Sequence, residues 1–125
     1  MSRPFRLQPP TPSENDVEAG CLGLLWRRGW WPVRLHAGTF RSVDGKRWIK
    51  GVERGTPDWL AIHPHFPGFL FEVKRPGEKP KPHQLEKINE LRIVRRLHVT
   101  VVCTADELQR WLNQHERTTR NPGGS

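Results

Sequence analysis

Hydrophobic spacing divides the chain into a few clear elements. Val17, Cys21, Leu24 and Leu25 recur at helical intervals after Ser13, a good N-cap, with Glu14 and Asp16 suited to the positive end of the helix dipole. Gly29 closes that helix. From Trp30 to Arg41 the pattern reads as extended, with Trp31, Val33 and Leu35 alternating against Arg34 and His36 and Gly38 breaking the pattern near its end. Residues 42–57 hold Asp44-Gly45, Gly51 and Gly55-Thr56-Pro57, turn and loop punctuation in which Arg47 to Val52 could add a short strand. Two short apolar runs follow, from Asp58 through Ile62 and from Phe69 to Lys74, joined by a turn at His63 to Gly68. They predict a hairpin of buried central strands. Gln84 to Arg96 reads as a helix with Leu85, Ile88, Leu91 and Val94 inward, and His98 to Cys103 as a β-branched strand. Thr104 or Asp106 opens a last helix that reaches about His115. The order α-β-β-β-α-β-α implies an α/β fold, a mixed sheet flanked by helices. A length of 125 residues suits a single domain, here 13–115, between a basic, proline-rich arm (1–12) and a polar tail (116–125), both expected to be disordered.

Charge changes the picture. Twenty-one Lys and Arg against 13 Asp and Glu give a formal net charge of +8, which attracts phosphate polyanions. Nucleic acid is the leading partner class, although a basic charge that merely keeps the protein dispersed is the plainer reading of composition alone. No apolar run approaches the ~20 residues that cross a bilayer, and the N-terminus has no secretory pattern. Cys21 and Cys103 are far apart and without a ligand pattern, which suits a reducing compartment. A soluble cytoplasmic protein of a bacterium or phage is the expectation.

The chemistry concentrates in Leu70-Phe71-Glu72-Val73-Lys74. On a strand Leu70, Glu72 and Lys74 share one face and Phe69, Phe71 and Val73 the other, so Glu72 and Lys74 lie side by side. A carboxylate and an ammonium in a core-like run are costly unless each is paired or binds something. A structural ion pair is the bland explanation. Asp58 shifts the balance, because it opens the partner strand of the hairpin and can approach Glu72 across the ladder. Two carboxylates beside a lysine are the usual protein share of a Mg²⁺ or Mn²⁺ site, since such an ion keeps several waters and takes substrate phosphate oxygens; Zn²⁺ fits less well. Phosphodiester hydrolysis is the reaction that follows.

Gly55-Thr56-Pro57-Asp58, Glu72-Val73-Lys74 at a spacing of 14 residues from Asp58, and Gln84 after a basic Pro-Gly loop together resemble the signature of the PD-(D/E)XK nucleases, specifically the VRR-NUC branch. The resemblance spans roughly residues 13 to 104 and implies a restriction-endonuclease-like core. It further implies Asp58 and Glu72 as metal ligands, the Val73 carbonyl as another, Lys74 as catalytic lysine and Gln84 as a helix residue reaching the site. An N-terminal helical Glu assists the metal in that family; Glu14 matches best, with Glu18 one turn on as the alternative. Lys81-Pro82 departs from the usual cap before the Gln, which leaves the placement of Gln84 open. Stand-alone members resemble symmetric dimers acting on branched DNA, so a homodimeric, Holliday junction resolvase-like endonuclease is expected. The alternative is a non-catalytic or partner-dependent DNA-binding module of the same fold.

Around the site, Arg75, Lys79, Lys81 and Arg34 are the expected phosphate contacts, and Arg41, Lys46, Arg47 and Lys50 could extend the track; singly, each could equally be a solvated charge. Of the six tryptophans most are expected in packing, while Trp30, Trp31 and Trp48 lie in polar segments and could bury a dimer contact. His63-Pro64-His65 reads as a surface turn, and His36 and His83 carry no catalytic assignment.

Overall fold

The computed structural model describes residues 11–119; the N-terminal arm up to residue 10 and the tail from residue 120 lie outside it. Helix α1 (Glu14–Arg27) starts where Ser13 predicts: its Oγ accepts from Asp16 N at 3.1 Å, and Asp16 Oδ2 accepts from Ser13 N at 3.2 Å. Gly29, at φ +82°, ends the helix. Six strands follow, β1 (Trp31–Arg34), β2 (Thr39–Arg41), β3 (Trp48–Lys50), β4 (Trp59–Ile62), β5 (Phe69–Val73) and, after helix α2 (Pro82–Asn89), β6 (His98–Val102). Helix α3 (Ala105–Thr118) closes the described chain, capped by Thr104 Oγ1, which accepts from Glu107 N at 3.1 Å.

The main sheet has the order β1-β4-β5-β6. Pairs β1/β4 and β4/β5 are antiparallel and β5/β6 is parallel, with α2 in the crossover, so the sheet is mixed and the order α-β-β-β-α-β-α describes it. The expected long strand from Trp30 to Arg41 does not form. The pairing with β4 ends with the bond from Leu35 N to Asp58 O at 2.7 Å, and the chain then turns away through Gly38, at φ +100°. β2 and β3 instead pair with each other in a separate two-stranded sheet.

The two faces of β5 are covered differently. Phe69, Phe71 and Val73 pack with Trp30, Trp59 and Ala61 beneath α1 and α3, which supply Val17, Cys21, Leu24, Leu25, Leu108 and Leu112. Leu70 packs with Val99 of β6 and Ile88 of α2. Helix α2 departs from the predicted stripe: Ile88 is buried and Leu91 partly so, but Leu85 is 47% and Val94 72% exposed. A π-helical turn over Glu90–Val94 widens the helix and rotates Val94 outward, and the position facing the sheet in the first turn belongs to Gln84.

Two further expectations are corrected. Trp30 is fully buried, against Phe69 and Phe66, rather than held out for an interface. Residues 116–118 belong to α3 rather than to a disordered tail, because Glu116 is tied down from both oxygens: Trp30 Nε1 donates to Oε1 at 2.9 Å and Arg28 to Oε2 at 2.6 Å. No helix among the described residues is long and apolar enough to cross a membrane.

Glu116→Ala leaves the Trp30 indole N–H buried without an acceptor. The variant is expected to lose about 1–3 kcal/mol of stability, read from the midpoint of urea unfolding. An unchanged midpoint would show that the Trp30 anchor is dispensable.

Candidate active site

Alternation along β5 delivers Glu72 and Lys74 to the face of Leu70, and both are buried, 5% and 6% exposed. The β4/β5 register pairs Trp59 with Phe71, so Asp58, one residue before β4, falls opposite Glu72. Asp58 N donates to Glu72 Oε2 at 3.0 Å, and Lys74 Nζ lies 3.6 Å from Glu72 Oε1. Asp58 is pinned from its other side by the bond from Leu35 N to its carbonyl.

The loop before Asp58 needs its glycine. Gly55 has φ +87°, and a Cβ there would lie 2.8 Å from the carbonyl oxygen of His83 and 3.2 Å from Lys87 Cβ. The Gly-Thr-Pro-Asp loop therefore lies directly on α2, and the motif is as much a packing requirement as a chemical one. A salt bridge from Lys87 to Glu53 holds the same loop to the same helix, and Glu90, one turn on, pairs with the same ammonium.

Gln84 settles the missing cap. Lys81 caps with no side-chain oxygen and Pro82 occupies the first turn, so Gln84 reaches back and its Oε1 accepts from Lys81 N at 2.9 Å. That bond turns the amide so that Nε2 points to Glu72 Oε1, at 3.5 Å. One side chain thus starts the helix and touches the buried carboxylate.

Burial raises the Glu72 pKa from 4.5 to about 7, with the negative charge of Asp58 adding to the rise and Lys74 and the Asp58 N–H opposing it. The carboxylate pair is short of positive charge despite the lysine. Its donors are all oxygen, and among the described residues no group of three or more His, Cys, Asp and Glu forms a closed cage. Such a set fits a hard divalent cation that keeps open positions, with Asp58 and Glu72 as the residues able to hold it, and does not fit a four-ligand zinc site.

No family profile matches the sequence, and no curated protein matches it. A solved structure described as a VRR_NUC domain superposes on the chain with a TM-score of 0.62 at 25% identity, over 82% of this chain and 97% of that one. The chain shares the fold of that VRR_NUC domain. Its mixed sheet and flanking helices form the restriction-endonuclease-like core.

Within this VRR_NUC-like fold, Asp58, Glu72, Lys74 and Gln84 come together and the other expected residues do not join them by hydrogen bonds. Val73 sends its side chain into the core. Glu14 is half-buried in the first turn of α1, while Glu18 accepts from Arg34 at 3.1 Å. Arg34 also lies over the Trp59 ring, 5.3 Å from its centroid. Arg75, Lys79 and Lys81 are exposed on the segment between β5 and α2, with Arg75 paired to Glu78 at 3.4 Å. Glu78, 3.9 Å from Lys74 Nζ, escaped sequence reasoning; only its position four residues after the lysine hinted at it. His63 contacts the Arg28 carbonyl and His65 is exposed, in keeping with a surface turn.

The raised Glu72 pKa has a definite sign. The folded state binds this proton more tightly than the unfolded chain, so the contribution is fully present below about pH 4.5 and is lost as pH climbs through about 7. In chelator, Glu72→Gln is expected to gain on the parent in urea midpoint at pH 8 relative to pH 4.5. An equal gap at both pH values would mean that Glu72 ionises normally.

Proposed function

We propose that this VRR-NUC-type domain is a metal-dependent endonuclease that hydrolyses DNA phosphodiester bonds, and that it selects branched DNA in the manner of a Holliday junction resolvase. The observation that carries the proposal is the convergence of Asp58, Glu72 and Lys74 at one end of the central hairpin, with Glu72 buried and held by three neighbours. A carboxylate placed there only for stability would be a poor choice, since a buried ion pair is often no better than an apolar pair of the same size.

In this reading Asp58 and Glu72, with the Val73 carbonyl, would hold Mg²⁺ or Mn²⁺, and Glu14, or Glu18 one turn on in α1, would assist. When bound there, such a cation would supply a lowered pKa for water and charge neutralisation at the phosphate. Lys74 orients the attacking water and stabilises the negative charge that develops on phosphorus oxygens as the P–O bond breaks. Gln84 keeps the Glu72 carboxylate in one orientation and so acts as a positioning residue. Arg75, Lys79, Lys81 and Arg34 grip flanking phosphates, which fixes register without reading sequence. Two copies related by a two-fold axis would offer one site to each of two strands, with exposed Trp31 or Trp26 available for the contact. The free cysteines suit a reducing compartment such as the cytoplasm of a bacterium, whether the chain is bacterial or phage-encoded.

The test is a cleavage assay with Mg²⁺ or Mn²⁺ on matched junction, flap, nicked, single-stranded and plain duplex DNA. Alanine at Asp58, Glu72 or Lys74 is expected to lower cutting by roughly a hundredfold or more while DNA binding persists. Symmetric cuts confined to the junction support the resolvase reading. Binding without cutting by the parent protein, restored only by a second protein or never, would replace it with the partner-dependent or non-catalytic module.

A further inference from the structure

The β2–β3 hairpin has no role in the core. It leaves the main sheet after Leu35 and returns at Val52, tied at its root by Gly51 N to Gly38 O (2.7 Å) and Val52 N to His36 O (2.9 Å). Every residue of both strands is exposed. A two-stranded ribbon is marginal by itself in water, and one that displays an indole needs a reason.

Its register shows how the side chains divide. Phe40 opposes Ile49, and this side is partly used, with the His36 ring edge-on to Phe40 at 6.1 Å. Thr39 opposes Lys50 and Arg41 opposes Trp48, which puts a cation–aromatic surface on the other side. There the Arg41 guanidinium lies 4.7 Å from the centre of the Trp48 ring, whose residue is 67% exposed. The tip is internally bonded: Asp44 accepts from Ser42 Oγ and Lys46 N, and Ser42 Oγ accepts from Arg47 N. The one carboxylate of the tip is thereby turned to its own turn, while Lys46 and Arg47 point their charge to solvent. The root lies beside the site, because Leu35 N is bonded to Asp58 O.

We infer that this hairpin is a nucleic-acid grip, in which Trp48 stacks on an unpaired base next to the site and Arg41, Lys46, Arg47 and Lys50 hold the phosphates around it. Aromatic faces take any base, and the neighbouring cations supply the backbone attraction. A second copy of the chain fits the surface poorly, since a two-fold contact would set two cationic ribbons against each other. The inference deepens the nuclease reading and rests on it for the nature of the ligand, but its readout is binding and needs no cleavage.

The experiment measures fluorescence anisotropy of labelled DNA with the full chain in EDTA, comparing a duplex that carries a short single-stranded gap with a plain duplex. Trp48→Ala is expected to weaken binding to the gapped DNA roughly tenfold and to the plain duplex far less, with Trp48→Phe retaining most of the affinity. Arg41→Gln with Lys50→Gln should weaken both and flatten the plot of log affinity against log salt by about one for each lost contact. These side chains are exposed, so an unchanged melting temperature is the control for folding. Parental affinity and salt slope in the variants would overturn the inference. So would an equal loss on both DNAs accompanied by dissociation of a dimer in sedimentation, which would assign the ribbon to contact between copies. If the parent cuts no DNA yet shows the gap-dependent loss, the nuclease reading falls and the grip stands.

Discussion

A carboxylate in the most buried strand of the sheet is the constraint around which this domain is arranged. All five residues of β5 are buried, and Glu72 among them must keep partners or its proton. Desolvation alone would make an isolated charge there intolerable. The Asp58 N–H, the Lys74 ammonium and the Gln84 amide are what make it tolerable, and each comes from a different piece of the chain. The β4/β5 register, the loop before β4 and the first turn of α2 therefore all answer to one side chain.

Helix α2 is the element that joins these pieces. Its first turn holds Glu72 through Gln84, while His83 and Lys87 form the surface on which Gly55 sits. Lys87 binds Glu53 across the gap. The two carboxylates consequently have their spacing set twice, by the hairpin ladder and by the helix that braces the Asp58 loop. A helix beginning Lys-Pro-His-Gln looks weakly capped, yet the arrangement gains from it: a self-sufficient cap at position 81 would leave the Gln84 amide with no reason to point in one direction.

What could be read from the sequence and what could not divide along the same physical line. Ser13 and Thr104 cap helices through bonds to residues three positions away, and the two-residue period of 69–74 sorts its own faces, so both were legible from local pattern. The pairing of Asp58 with Glu72 was legible because a hairpin with a short turn leaves little freedom of register. Trp30 and Glu116 were misplaced because each looks polar-segment or tail-like until the other is known, 86 residues away. The inward stripe of α2 failed for a similar reason. Leu85 is the better core residue by composition, but the sheet beneath it offers a carboxylate, and Gln84 meets that need. The end of β1 is set by where its partner β4 begins, beyond the Leu35–Asp58 bond, and of this only Gly38 gave a local sign.

The distribution of charge ties the site to its surroundings. The chain as a whole is cationic at +8, and exposed Arg and Lys side chains draw phosphate toward it from any direction. At the centre, however, stand two carboxylates, and a phosphodiester arriving there would meet repulsion. Lys74 offsets only part of this, because at 3.6 Å its charge is already shared with Glu72. The basic surround and the acidic centre are contradictory for a protein that only binds DNA. They become consistent if a divalent cation sits between carboxylates and phosphate, attracted by the first and attracting the second. The same reasoning accounts for the raised Glu72 pKa: a proton there offsets the buried negative charge, and a cation bound in its place would have to displace it, so that affinity for such an ion would rise with pH.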